Sequence, residues 1–250
     1  MLFSSSPLSQ FNINPIFSFY LGWLDFSFTN SSLAIIVACL VFILLVSFSA
    51  SEATVVPTRW QSIVELLYEF VYNLIQEQIG SKGNKYFPFI FTLFIFILFS
   101  NVLGMIPYNF TPTSHITISM GLSLAIWVGV TVLGFATHGF HFFSIFLPSG
   151  VPTWLAPLII VIEIISYIMR ALSLGIRLAA NMFAGHTLLK ILAGFAWKMF
   201  AIGGIIAVAG LAPLAVVFAL TGLEIGVAIL QAYVFTVLTC SYINDAVNLH

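Results

Sequence analysis

Charge is what this 250-residue sequence has least of. Only 6% of its residues are Asp, Glu, Lys or Arg, against about 25% in soluble globular domains. Between Lys85 and Glu163 there are none. With 61% hydrophobic residues and a mean hydropathy of +1.13, this scarcity excludes a soluble globular protein and predicts a polytopic membrane protein. A net charge of −1 argues against a nucleic-acid partner and against a basic membrane-surface patch. Cysteine is scarce too: Cys39 and Cys240 both lie in apolar runs and read as reduced, buried, inert thiols. No basic residue precedes Arg59, which excludes the basic start of a secretory signal and an Arg-rich transit peptide. The expectation is insertion by the machinery of the compartment that makes the chain. Ser4 to Pro7 would suit a short removable leader.

What is present falls into apolar runs, read as one membrane domain over 1–250. Residues 1–32 are mixed, and the polar cluster Thr29-Asn30-Ser31-Ser32 can cap the run that follows. Residues 33–48 are adequate for a first transmembrane helix once flanking residues are added. Over 57–80, Trp60, Ile63, Val64, Leu67, Phe70, Val71, Leu74 and Ile75 recur at helical spacing, with Gln61, Glu65, Glu69, Asn73, Gln76 and Glu77 opposite. That pattern predicts an amphipathic helix lying on a membrane surface or on a partner. Arg59, Lys82 and Lys85 place this connection on the inner side. Residues 86–136 form a transmembrane hairpin around the loop PYNFTPTSH, with Gly121, Ala125 and Gly129 offering a smooth face for close helix packing. Asn101 reads as interhelical glue. Residues 137–157 are a loop, and His138 and His141 lack a third ligand, so no metal site is expected.

Residues 158–247 read as one long hairpin whose centre falls at Gly203-Gly204. Each arm approaches about 50 to 60 Å at ~1.5 Å per residue, against a hydrocarbon core of about 30 Å. Either the arms break near Gly194 and Gly222, or both are steeply tilted against a curved partner. Folded antiparallel, Glu163 meets the level of Asp245, Arg177 that of Gln231, and His186 that of Glu224. On the first arm Glu163, Ser166, Arg170, Ser173, Arg177 and Asn181 share a stripe at about 100° per residue, and His186 lies opposite Arg177. Arg170, Lys190 and Lys198 read as interfacial snorkels. Arg177 is too deep for that, and an intramembrane charge costs about 2.5 to 3.5 kcal/mol on insertion scales. His and Glu relay protons, whereas Arg does not release its own. A central Arg therefore separates two titratable clusters, and its missing counter-ion points to a carboxylate on another subunit.

LSLGIRLAANMFAGH (172–186) and GLEIGVAILQAYVFTVLTCSYINDAVNLH (222–250) strongly resemble the membrane proton-channel subunit family of the proton-translocating ATP synthase. NVLGMIPYNFTPTSH (101–115) and SPLSQF (6–11) are similar as well, so the resemblance covers almost the whole chain. His186 and SPLSQF resemble the mitochondrial form, with a bacterial inner membrane as the alternative. The resemblance implies an all-α fold of five transmembrane helices plus the surface helix, the last two helices forming the tilted hairpin. It implies no cofactor and no catalysis by this subunit itself. Implied partners are a rotor ring of small hairpin subunits carrying a membrane carboxylate, peripheral-stalk and other ATP synthase membrane subunits, lipids, protons and a second ATP synthase in a dimer. Arg177 is then the essential rotor-facing cation. His186 and Glu224 line an inlet half-channel, and Glu163 and Asp245 an outlet half-channel. Gln231, Asn181, Ser173 and Asn101 are polar partners. The alternatives are a secondary ion/proton antiporter, which would show inverted repeats, and a purely structural assembly subunit.

Overall fold

Thr29 and Ser32 cap the first long helix reciprocally. The Ser32 hydroxyl accepts from the Thr29 N–H at 2.9 Å, and the Thr29 hydroxyl accepts from the Ser32 N–H at 3.4 Å, which satisfies donors left open at a helix start. A computed structural model describes residues 6–18, 20–21, 24–51, 54–106, 109–146 and 155–248. Ser4 and the loop residues Pro107, Tyr108, Pro148 and Pro152 lie outside the described residues. Helix α1 is Asn30–Ser51, α2 Arg59–Gln78, α3 Phe87–Gly104, α4 Ile116–His138, α5 Ala156–Ile202, α6 Gly204–Ala209 and α7 Leu211–Val247. Among the described residues, five helical stretches are long and apolar enough to cross a membrane: Asn30–Ala50, Gly80–Gly104, Ile116–Phe143, Ala156–Ile202 and Ile206–Val247. Helix α2 is the amphipathic one. Its Thr58 cap accepts from the Gln61 N–H. Of its apolar stripe only Val71, Leu74 and Ile75 are buried, while Trp60, Ile63 and Phe70 remain exposed.

The N-terminal segment holds more structure than its mixed composition announces. Pro7–Phe11 forms a 3₁₀ turn capped by Ser6. Two short antiparallel ribbons follow, β1 (Pro15–Phe17) with β4 (Phe28–Thr29) and β2 (Tyr20–Leu21) with β3 (Leu24–Asp25). Strands of two or three residues carry too little alternation to be read as periodicity. The loop after α4 begins as a further 3₁₀ stretch, Gly139–Phe146.

Helix α5 runs without interruption through Gly194, and α7 through Gly222, so neither expected break exists. At ~1.5 Å per residue, the 47 residues of α5 extend about 70 Å. The reversal between the arms is at Gly203 and Gly204, whose φ values of 78° and 63° lie in the left-handed region that glycine enters at least cost. The sequence-predicted centre of the hairpin is therefore its real turn.

The chain divides into two compact units. The first comprises residues 1–42, 96–115 and 178–232, and the second 43–95, 116–177 and 233–250. In the first unit the buried positions include Ala34, Ala38, Ala179, Ala196, Ala228 and Ala232, small residues that let helix backbones approach closely in lipid. In the second, larger groups fill the core, among them Ile75, Ile90, Phe94, Phe142, Leu174 and Phe235.

One sequence reading is corrected within the second unit and one within the first. The small face of α4 is not where that helix packs tightly. Among the described residues, nothing lies within 4 Å of a Cβ built on Gly121 or Gly129, and Gly129 borders an open apolar cavity of about 210 Å³ with Phe89, Leu133 and Ile243. The close approach is one face over: Ser119 and Ser123 are buried, and a Cβ on Gly175 would meet Ser123 and Met120. A stripe of small residues permits close packing but does not decide which neighbour uses it. In the first unit, Cys39 is exposed on α1, since a helix presenting most of its apolar surface outward buries only one side. In the second unit Cys240 is buried, as expected.

Candidate proton-path residues

In the first unit the polar groups converge on α5 and α7. Asn101, in the last turns of α3, is fully buried. Its amide donates to the Ala228 carbonyl at 3.2 Å and accepts from the Thr113 hydroxyl at 2.8 Å. It thus ties α3 to α7 and to the 3₁₀ turn Pro112–Ser114, the interhelical role its sequence position predicts. Asn181 donates to Gln231 Oε1 at 2.9 Å, while Gln231 Nε2 is buried with no hydrogen-bond partner among the described residues.

One turn further along α5, His186 Nδ1 stands 3.6 Å from Glu224 Oε1. Glu224 is 6% exposed, and neither of its oxygens has a hydrogen-bond partner among the described residues. The carboxylate fits here because position 185 is glycine: a Cβ there would overlap it. On the other edge of the imidazole, Nε2 is 3.1 Å from the Thr111 hydroxyl. Thr111 and Thr113 were not singled out in the sequence, although their place in the polar loop between two apolar spans was the available signal. Nearby, Lys190 Nζ donates to Ser9 Oγ at 3.3 Å, and Phe11 packs on Phe183 at 4.8 Å between ring centroids. Lys190 is held by the N-terminal turn; it is not a free snorkel.

In the second unit the ionisable groups form a network around a residue read as an anchor. Arg170 reaches Asp245 Oδ2 at 3.1 Å and Glu163 Oε1 at 3.6 Å, and its guanidinium lies 6.0 Å from the Tyr242 ring centroid. That overturns the snorkelling reading. A guanidinium presents several donors in a fixed fork, so with two carboxylates at matching levels it bridges them instead of turning to solvent. Glu163 and Asp245 are brought together, through Arg170. Tyr167, one wall of the same site, shares a hydrogen bond with Thr131 at 2.7 Å. All three charged groups remain partly exposed, at 37%, 29% and 45% of their side-chain surface for Arg170, Glu163 and Asp245.

Arg177 is the last residue of this unit along α5. Its Nη2 is 3.4 Å from Ser173 Oγ on the preceding turn, and both residues are exposed. Among the described residues no carboxylate lies within ion-pair distance of it. His138 contacts the Val247 carbonyl at 3.2 Å, and among the described residues no three His, Cys, Asp or Glu side chains group as metal ligands.

Buried polar groups without hydrogen-bond partners among the described residues thus lie on two long apolar helices, with an exposed arginine on the same helix pair. Comparison with known proteins identifies the family. The model of the family described as ATP synthase A chain matches residues 31–244. The chain is 56% identical over 249 residues to ATP synthase subunit a of Marchantia polymorpha, covering 98% of this chain and 99% of that one. It is 52% identical over 246 residues to ATP synthase subunit a of Chondrus crispus, covering 98% and 97%. To ATP synthase subunit a of Rhodospirillum rubrum it is 48% identical over 245 residues, covering 98% and 99%. Matches of this extent and identity leave one conclusion: the chain belongs to the ATP synthase A chain family.

Proposed function

We propose that Arg177 is the barrier between two proton half-paths, and that the half-paths are those of the polar clusters described above. The chain is the stator proton-channel subunit of the ATP synthase, non-catalytic in itself, and a multi-pass protein of the mitochondrial inner membrane. Membership of that family replaces the antiporter reading. The observation that carries the proposal is the solitary, exposed Arg177 on an apolar helix. An arginine at midplane costs several kcal/mol unless something compensates it, and among the described residues only a serine hydroxyl reaches it. A carboxylate presented by a rotor of small hairpin subunits supplies the compensation.

His186 and Glu224 then deliver protons from the outer side, and Glu163 and Asp245, bridged by Arg170, release them to the matrix. A rotor carboxylate beside Arg177 can ionise, whereas one entering lipid must be neutral. Arg177 keeps its own proton, so a proton cannot pass from one cluster to the other without riding the rotor. Each charge moved gains about 2.3 kcal/mol per 100 mV, and several per turn drive ATP formation in the soluble head. The uninterrupted length of α5 suits a helix steeply tilted along a curved ring. The exposed half of the α2 apolar stripe suits lipid, or peripheral-stalk and neighbouring membrane subunits, including those of a second synthase.

The test is Arg177→Ala in the intact synthase, with ATP-driven pumping and passive proton conduction measured separately. Pumping is expected to disappear while the assembled complex persists. Coupled pumping that survives the substitution sinks the proposal.

A further inference from the structure

We propose that Thr111 is a positioning residue that fixes the tautomer of His186, so that the ring takes and returns its proton only at Nδ1, the edge turned to Glu224. The inference rests on the reading of His186 and Glu224 as proton carriers and adds which atom of the ring works.

A threonine hydroxyl has one proton to give and lone pairs with which to accept. Thr111 Oγ1 stands between two partners, the Gly104 carbonyl at 3.0 Å and His186 Nε2 at 3.1 Å. Gly104 is the last residue of α3, so its carbonyl has no acceptor role within the helix. The residue is buried, and among the described residues the Thr111 hydroxyl is the donor this carbonyl receives. A buried carbonyl left without a donor is costly. The hydroxyl proton therefore goes to Gly104, and a lone pair is what Thr111 turns to His186.

Only an N–H can complete that contact, so Nε2 carries hydrogen whether the ring is neutral or charged. The tautomer of a histidine is set in this way by the bond its other nitrogen makes. In the neutral ring the basic lone pair is then at Nδ1, 3.6 Å from Glu224 Oε1. The hydroxyl itself is well placed, because the Thr111 carbonyl accepts from both the hydroxyl and the N–H of Ser114, at 2.7 and 3.2 Å.

The consequence concerns the path. A proton does not travel through the imidazole, in at Nε2 and out at Nδ1, because Nε2 is occupied at all times. It arrives and leaves on the Nδ1 edge, and His186 with Glu224 acts as one site holding a proton on either partner.

The experiment uses the intact ATP synthase with ¹⁵N-labelled histidine, the His186 signals being assigned by their loss in a His186→Asn complex. On titration the Nε2 resonance is expected to stay that of a protonated nitrogen while only Nδ1 moves. A neutral ring protonated at Nδ1 overturns the proposal. In parallel, Thr111→Val, which keeps the shape without the hydroxyl, is expected to mix the tautomers and lower proton-driven ATP synthesis about tenfold, the scale of one lost hydrogen bond. Thr111→Ser should restore both spectrum and rate. In the His186→Asn background Thr111→Val should cost nothing more, and an equal loss there would make Thr111 merely structural and reject the proposal. If Thr111→Val does not assemble, the wild-type spectrum decides alone. The underlying reading fails separately, if His186→Asn leaves proton delivery from the outer side unimpaired.

Discussion

In the first unit the ionisable pair His186 and Glu224 is buried with little around it to satisfy the carboxylate, whereas in the second Glu163, Arg170 and Asp245 compensate one another at partly exposed positions. The cores differ in the same sense. Alanines let the helices of the first unit close around neutral amides and one carboxylate, while bulky Ile, Phe and Leu side chains fill the second and leave its charges at the edge. On the proposed reading Glu224 must both bind and release a proton, and among the described residues no permanently charged cation pairs with it. A group that must accept a proton and hand it to water can be paired loosely, as Glu163 and Asp245 are. The contrast suits delivery to the rotor on one path and release to solvent on the other.

Glycine substitutions probe this contrast most sharply. In Gly185→Ala the new methyl overlaps the Glu224 carboxylate, the movable end of a side chain, so the helix survives and the carboxylate shifts away from His186. A misplacement near 1 Å at a working site costs about 10²-fold in rate, and proton-driven ATP synthesis is the measurement. Gly175→Ala meets the Met120 backbone as well as the side chains of Ser123 and Met120. There the expected loss is in the amount of assembled complex, at the ~1 to 3 kcal/mol typical of overpacking, with the rate per complex kept. If Gly185→Ala instead lowers assembly and spares the rate, the first cluster is packing and not a proton site.

Next in size is Arg170→Gln, which leaves Glu163 and Asp245 without their bridge. Because all three side chains are partly exposed, little stability is at stake, about 0 to 1 kcal/mol for such pairs. The expected effect is slower proton release on the matrix side only, read as solvent-isotope or pH sensitivity confined to that side. Equal impairment of both sides would erase the functional difference between the clusters. Asn101→Leu comes third. It removes two buried interhelical hydrogen bonds, worth about 0.6 kcal/mol each and at most ~1.7 in a membrane, so thermal stability of the complex should fall modestly while coupling persists.

Much of this was legible from the sequence because membrane helices obey a coarse rule. An intramembrane charge needs a reason, and Arg177, His186, Glu224, Glu163 and Asp245 stood out by that rule alone. The matched levels of Glu163 with Asp245, Arg177 with Gln231 and His186 with Glu224 implied a turn at Gly203-Gly204. What could not be read was who bridges whom. Arg170 looked like a snorkel because arginines near helix ends usually are, and only the fold brings Asp245 within 3.1 Å of it. Thr111 was hidden for a different reason: a hydroxyl in a polar loop carries no periodicity, and its importance depends on the α3 terminus ending beside it. The short ribbons at 15–29 fall below the length at which alternation means anything.

The smallest expected effect concerns the N-terminal turn over the first unit. His115, just before α4, packs edge-on to Phe11 at 6.5 Å and stacks on Phe110 at 5.2 Å. Burial lowers its pKa below the usual 6.5, only partly offset by a hydrogen bond with the Phe11 backbone, and its Nε2 is buried with no hydrogen-bond partner among the described residues. A second ring proton would have to sit there. The sign follows from that depression: the stability that neutral His115 lends is present above the unfolded value near 6.5 and is lost as pH falls through the lower folded value. Acidification from about pH 7.5 to about pH 5.5, a span that covers an ordinary histidine titration, should therefore loosen residues 7–11 from the unit. Hydrogen exchange of their amides in the intact complex, corrected for the intrinsic rate, should rise severalfold. His115→Phe keeps an aromatic ring against Phe11 and Phe110 but has nothing to titrate, so the rise should vanish. A rise that persists in His115→Phe would assign the loosening to another group.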